Sequence, residues 1–349
     1  MASMIAGHDD ETGSNDATAA TPPRDTRWSA ATGRRVGLGA VFAATFLMST
    51  AVLLPTVTVP TLKKLPSDLD RSANLEATDA QVLDIPRLIR GDLRPDTGVP
   101  LRLDARVTTA EPTDDRTVTF VATQRMIRTD RIGGERVVNG FVDWVTLDRR
   151  STKPVTGGVA RTQYTDDPPV DLPRSGYQYT FPFDTGKRDY DYYDPGAQVS
   201  TPAVYLDDRR TIGGLRVYHF RQVIPVRDVS SPQRAGSRLK IPVVIAGRTR
   251  DVDMNLSYGV SREIWVEPRT GIMMDRTENI DVRYVGGGVS VQLIKARLHY
   301  TEKQARDLRS TAQEATLQLE LGRRWIPIGL GALGLACLIG GGVVLRRPR

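Results

Sequence analysis

Apolar side chains change rhythm several times along this chain, and each rhythm predicts a different element. Two runs carry no charge at all: residues 36–54, directly after Arg34-Arg35, and residues 326–345, directly before Arg346-Arg347-Pro348-Arg349. At 19 and 20 residues they match the roughly 20-residue helix that crosses about 30 Å of hydrocarbon, so both are read as transmembrane helices. Between residues 74 and 300 the pattern becomes short β-branched runs in which apolar and polar positions alternate, as in Val118–Ala122, Phe141–Leu147, Leu215–Pro225, Arg262–Val266 and Val289–Tyr300. Period two over such lengths predicts half-buried strands. Gly133-Gly134, Gly157-Gly158, Gly213-Gly214 and Gly286-Gly287-Gly288 fall between the runs, where tight turns call for positive φ. The expected fold is mainly β: an antiparallel, curved-sheet domain between N- and C-terminal transmembrane helices. Over residues 301–322 the apolar positions Ala305, Leu308, Ala312, Ala315 and Leu319 follow a helical spacing, predicting an amphipathic stalk helix that leads to the second span, with Gly322 as a hinge.

The flanks orient these elements. The first run exceeds the 7–15 apolar residues of a signal peptide, and Ser49-Thr50-Ala51 lies inside it, so an uncleaved signal anchor is expected. Arg34-Arg35 precede this helix and no basic residue follows until Lys63-Lys64, which puts the N-terminus in the cytoplasm. Arg323-Arg324 and the C-terminal arginines nearly balance across the second run. The first helix therefore decides, giving cytoplasmic termini, a plasma-membrane location and an extracytoplasmic main domain. Residues 1–33 hold few large apolar side chains beyond Ile5 and Trp28 and are expected to be a disordered cytoplasmic tail. Pro55 and Pro60 among β-branched residues predict an extended spacer over residues 55–73. Residues 346–349 form a basic cytoplasmic tail. Six glycines in the second run (Gly329, Gly331, Gly334, Gly340, Gly341, Gly342) would let the two anchors pack closely.

Composition narrows the function classes. The formal charge of +7 suggests nucleic acid at first sight, but seven arginines flank the membrane runs and account for the excess, which leaves no case for a nucleic-acid partner. Arginine outnumbers lysine 41 to 7, a skew read as the codon bias of a GC-rich bacterium. The one cysteine, Cys337, lies in the second run, so the outer domain contains no disulfide. Of three histidines, His8 is in the tail and His219 and His299 are on strands, too scattered for a zinc site or a nucleophilic triad. The pairs Asp114-Asp115, Asp166-Asp167 and Asp207-Asp208 sit beside turn-forming residues and are read as turn formers, not as a glycosidase pair. No catalytic residue, metal or cofactor is expected.

The segment from Tyr177 to Pro195 gathers five of eleven tyrosines and two of seven phenylalanines. Two readings stand for this patch, an aromatic core hairpin or a surface that stacks on sugars or lines a lipid cavity. The candidate ligand-binding residues are Tyr177, Tyr179, Phe181, Phe183, Arg188, Tyr190, Tyr192 and Tyr193, Arg188 being suited to phosphate. A weak internal echo links Asp143–Val155 with Glu263–Met274, each a Trp-bearing strand, an acidic turn with Arg and Thr, then another strand. It reflects either two similar hairpins or two related lobes.

Four stretches carry a family resemblance: Thr146-Leu-Asp-Arg-Arg-Ser-Thr-Lys-Pro-Val155, Tyr190–Asp194, Gly214-Leu-Arg-Val-Tyr-His-Phe220 and Trp265-Val-Glu-Pro-Arg-Thr-Gly271. On these residues the chain resembles an actinobacterial family of envelope proteins often labelled the porin PorA family. The resemblance implies a role at the outer face of the plasma membrane, linked to maturation of lipomannan and lipoarabinomannan, and names no catalytic residues. A strand-built pore does not suit a chain whose spans are helical and whose strands are interrupted by charges. The expected function is non-enzymatic: a membrane protein that binds a lipid-linked glycan or lipoglycan intermediate and presents it to membrane glycosyltransferases. The alternative is a scaffold subunit of a glycosyltransferase complex that binds no lipid.

Overall fold

The computed structural model describes residues 30–346 apart from 165, 166 and 246. It divides into two compact units, one formed by the chain up to Ala51 and from Gly329 onward, the other by Val52–Ile328. The helices are α1 (Ala30–Leu53), α2 (Val59–Leu62), α3 (Ile85–Ile89), α4 (Glu302–Glu320) and α5 (Ile326–Arg346). Residues 1–29 and 347–349, which hold most of the predicted tail, His8 and the last basic residues, lie outside the described residues, as does Asp166.

The first unit is the pair α1 and α5, both belonging to helical stretches long and apolar enough to cross a membrane. Glycine decides how closely they meet. A Cβ on Gly341 would stand 3.0 Å from the Gly37 carbonyl oxygen and 3.1 Å from Ala40 Cβ, and one on Gly334 would stand 2.9 Å from Met48 Cγ and 3.2 Å from the Ala44 carbonyl oxygen. Those two glycines, seven residues apart, form the contact face, whereas Gly329, Gly331, Gly340 and Gly342 have open space beside them. Small residues that let backbones approach are the usual means of helix association in lipid. Phe42, Phe46 and Ile339 point outward, exposed.

The second unit departs from expectation at its start. The extended reading of residues 55–73 is corrected over its first half, because a π-helical turn at Leu54–Thr58 joins α1 to α2 and helix persists to Leu62. Pro55 and Pro60 stand in the first positions of successive helical segments, where a missing N–H costs least. A second π-helical turn, Leu321–Trp325, contains the predicted hinge Gly322 and joins α4 to α5.

Thirteen strands follow: β1 (Asp70–Val82), β2 (Asp96–Ala110), β3 (Thr117–Arg128), β4 (Val137–Asp148), β5 (Ala160–Tyr164), β6 (Val170–Asp171), β7 (Tyr190–Asp194), β8 (Val199–Ile212), β9 (Leu215–Asp228), β10 (Arg238–Ile245), β11 (Arg248–Val266), β12 (Met273–Gly286) and β13 (Val289–Tyr300). They form one antiparallel sheet in the order β6-β5-β4-β3-β2-β1-β13-β12-β11-β9-β8-β7, with β10 paired to the first half of β11. The sheet therefore opens at β1 four residues earlier than the alternation suggested. Gly213 and Gly214, at φ +57° and +80°, turn β8 into β9 as their spacing predicted.

Alternation fixes the buried face. Along β2, Val99, Leu101 and Leu103 point into the core while Arg102 and Arg106 point out; along β13, Ile294, Ala296, Leu298 and Tyr300 point in. The outer side carries exposed ion pairs, Arg106 with Asp70 at 2.5 Å and Arg102 with Asp104 at 2.8 Å. The same period also buries charges. Arg262 on β11 lies in line with Val260 and Ile264 and contacts Asp194 on β7, Glu278 on β12 and the Gln222 side chain on β9, all buried.

The sheet curls until its ends approach through residues 172–179. Tyr177 donates its backbone N–H to the Asp191 carbonyl (2.7 Å) and accepts from Tyr193 (2.8 Å), tying this segment to β7. Arg174 reaches from the same segment to Asp143 on β4, Thr162 on β5 and Tyr193 on β7. The internal echo resolves into one local device repeated within a single sheet, not two lobes. The Asp148 carbonyl accepts from Thr152 N–H (2.9 Å) and the Glu267 carbonyl from Gly271 N–H (3.0 Å), and both closing residues have positive φ.

Candidate functional site: an apolar chamber under helix α4

β1 pairs with β13, bringing Leu75 opposite Tyr300, and α4 starts directly afterwards. Thr301 caps it, accepting the Gln304 N–H at 3.2 Å. The stripe predicted from spacing faces the sheet: Ala312 is buried against Ile212, Val217 and Met274, and Leu308 packs on the main core. Along the Leu308, Ala315 and Leu319 side of this stripe, α4 covers a partly open cavity of about 410 Å³. Leu308, Ala315 and Leu319 form its helical wall, Ala73, Val107, Phe120 and Tyr300 its sheet wall, and Leu65 and Leu69 close one side. This is within the roughly 300–1,000 Å³ range of small-molecule sites.

Two resemblance motifs hold the remaining walls. In the first, Asp148 accepts the N–H groups of Arg150 (3.2 Å) and Ser151 (2.7 Å), while Arg149 Nε donates to the Leu65 carbonyl (2.7 Å), clamping the segment that carries Lys63, Lys64 and Leu65. In the second, Glu267 accepts from Thr270 N–H at 2.8 Å and Thr270 Oγ1 at 2.6 Å, and Gly271 sits at φ +72° with the Phe181 carbonyl pressed where a Cβ would be. Phe181 N–H donates back to the Gly271 carbonyl (3.2 Å) and Thr185 N–H to the Pro268 carbonyl (2.7 Å). The docked 179–185 segment supplies Tyr179, Thr180 and Phe183 to the chamber.

The eight predicted ligand residues separate sharply. Phe181, Tyr190 and Tyr192 are buried with Phe220, ring centroids 4.8 to 5.8 Å apart, and Tyr177 packs edge-on against Tyr190 at 5.4 Å. Tyr193 is buried under the Arg174 guanidinium, 4.4 Å from its ring centre. Tyr177, Phe181, Tyr190, Tyr192 and Phe220 make an aromatic core, and Tyr193 is buried apart from it. Arg188 is exposed and lies over the Tyr190 ring at 5.2 Å, away from the chamber. Only Tyr179 and Phe183 border the chamber.

Tyr179 is held from behind. At φ +65°, a conformation uncommon for residues with a side chain, it donates its hydroxyl to Asp143 Oδ2 at 2.7 Å; Gln178 and Thr162 also donate to this carboxylate, and Arg174 pairs with it. Burial pushes the Asp143 carboxyl above its usual range, against the pull of Arg174, and pushes the Tyr179 hydroxyl well up. The other polar candidates are structural: Asp114 accepts backbone N–H groups in its turn, Asp208 bonds His219 Nδ1 at 2.7 Å, and exposed His299 lies 3.9 Å from Glu76.

Sequence reasoning missed the basic edge of the chamber. Lys63, Lys64 and Arg71 all line it, and all three lie in the stretch read as a spacer. The Lys63-Lys64 doublet beside an apolar run was the available signal.

Fold and site together define a class: a β-sheet protein with a helix-covered apolar chamber and two helices fit to cross a membrane. The chain belongs to the Porin PorA family, whose model matches residues 36–343. It is similar to Porin PorA of Corynebacterium resistens, 28% identical over 302 residues that cover 66% of this chain and 72% of that one. It is also similar to Porin PorA of Corynebacterium amycolatum, 24% identical over 342 residues covering 83% and 88% of the two chains. Family membership and the helices fit a place in the membrane or cell envelope.

Proposed function

We propose that this chain is a non-enzymatic envelope protein that holds the apolar chain of a lipid-linked glycan or lipoglycan intermediate in the chamber under α4 and presents its sugar to membrane glycosyltransferases. In this reading the two apolar helices anchor it in the plasma membrane with both termini cytoplasmic and the sheet domain outside. The chamber carries the proposal. A partly open cleft of about 410 Å³ walled by leucine, valine, alanine and aromatic side chains has the size and apolar lining of a small-molecule site. Tyr179 and Phe183 are the two aromatic candidates retained in the site.

The name borne by the relatives raises a second possibility, a pore. A strand-built pore would expose the outer face of β1–β3 to lipid, and that face carries Arg102, Arg106, Asp104 and Asp70. Each arginine on a lipid-facing strand costs about 2–4 kcal/mol at mid-membrane and each aspartate somewhat less, which favours the helices as the spanning elements.

The test is native mass spectrometry with lipid extraction on the full chain, purified gently from an actinobacterial host. A stoichiometric polyprenyl-phosphate sugar, phosphoinositide or lipoglycan is expected. Lipid-free protein carrying a co-purified glycosyltransferase would replace the proposal with the scaffold reading, and unitary conductance in planar bilayers would replace it with the pore.

A further inference from the structure

The chamber shares Arg71, Ser72, Gln304 and Leu308 with a smaller neighbouring recess of about 330 Å³, whose other walls are polar. One compartment is therefore apolar, the other hydrophilic, and Arg71 stands at their junction. Charge is unevenly satisfied around this junction. Among the described residues no acidic side chain lines the chamber. Of its three basic residues, Lys63 is engaged with Asp184 at 2.5 Å, while Lys64 and Arg71 have no side-chain hydrogen bond or ion pair. In the recess, Asp70 is matched by Arg106 and Asp307 by Lys303, both at 2.5 Å. The unmatched charge is thus cationic. Although Arg71 is exposed as a residue, packing around its guanidinium lowers its pKa by desolvation, a cost that a bound anion would offset.

We infer that the site takes an amphiphile with a phosphate at the head of its apolar tail: the tail fills the chamber, the phosphate sits at the junction on Arg71, with Lys64 adding positive charge from the chamber lining, and the group beyond it enters the recess. Guanidinium suits phosphate because its planar fork donates two hydrogen bonds at once. The inference rests on the chamber being a lipid site and adds the class of headgroup it selects.

The full chain in neutral detergent is titrated with hexadecyl phosphate, hexadecyl glucoside and inorganic phosphate, with binding read by native mass spectrometry. Hexadecyl phosphate should bind about tenfold or more tighter than the glucoside, the worth of one charge-assisted hydrogen bond. Arg71→Gln with Lys64→Gln should erase that preference without weakening the glucoside, and Leu308→Trp should remove both long-chain probes. Unchanged melting temperatures would establish that the variants fold. Equal binding of both long-chain probes by the wild-type chain, or a preference that survives loss of both cations, overturns the headgroup inference while leaving the lipid site standing. Inorganic phosphate competing as strongly as hexadecyl phosphate makes this a free-anion site and also overturns it. Failure of both long-chain probes to bind overturns the lipid reading itself.

Discussion

Replacing Glu278 by Gln tests the buried charge cluster that crosses the curled sheet. The Glu278 carboxylate receives Arg262 Nε and two nitrogens of Arg276, and Arg262 continues to Asp194 and Gln222. Burial opposes the charged form of Glu278, yet the two guanidinium groups outweigh it and hold its pKa at about 2, below the ordinary 4.5. At about 1.4 kcal/mol for each tenfold change in proton affinity, that depression corresponds to about 3 kcal/mol of folding stability. Breaking a buried ion pair from one side costs about 3–5 kcal/mol by a separate route, so both lines give a loss of about 3 kcal/mol for Glu278→Gln at neutral pH. Because the folded pKa is depressed, the contribution is fully present above pH 4.5 and is lost as pH falls through about 2. Denaturant unfolding of the sheet domain within the full chain, followed by tryptophan fluorescence between pH 2 and 7, should show the wild type losing its advantage over the variant across that window. A loss below about 1 kcal/mol at pH 7, or an unchanged difference between pH 5 and pH 2, would refute the reasoning.

Gly271→Ala forces a Cβ into the left-handed turn and against the Phe181 carbonyl; we expect a loss of about 2–4 kcal/mol in the same unfolding assay and displacement of Tyr179 and Phe183 from the chamber. Gly341→Leu places a branched side chain where Ala40 and the Gly37 carbonyl already crowd a Cβ, so in a Cys337→Ser background cross-linking between cysteines introduced at Gly33 and Val344, where a Cβ on Gly33 has room 4.0 Å from Val344, should fall several-fold, and undiminished cross-linking would show that the glycine face does not hold the pair together.

The strands were legible because each reads as alternation along one short stretch: Val118 and Phe120 are buried on β3, as their period requires. The helix 301–322 was legible for the same reason, including its inward stripe. The chamber was not. Periodicity tells which face of α4 is apolar, but the gap between that face and the sheet depends on β1 pairing with β13, partners over two hundred positions apart. The aromatic patch shows the complementary limit. Ring density from Tyr177 to Tyr193 was plain in the sequence, yet whether the rings faced one another or a ligand depended on Phe220, Ile264 and Val266 arriving from other strands. The basic edge was legible only as the Lys63-Lys64 doublet beside an apolar run, and Arg71 had no pattern at all, because a lone cation looks the same beside solvent as beside a cavity.

The pairing of Leu75 with Tyr300 also sets a schedule for biogenesis. At roughly 5–20 residues per second of synthesis, β1 is made about ten to forty-five seconds before the strand that must lie beside it. Until then the β1–β2–β3 meander carries an unpaired edge, and α4 has not yet been translated. The chamber is therefore among the last parts of the domain to come into being, and a nascent chain that stalls before β13 presents an open edge to its surroundings and no chamber at all.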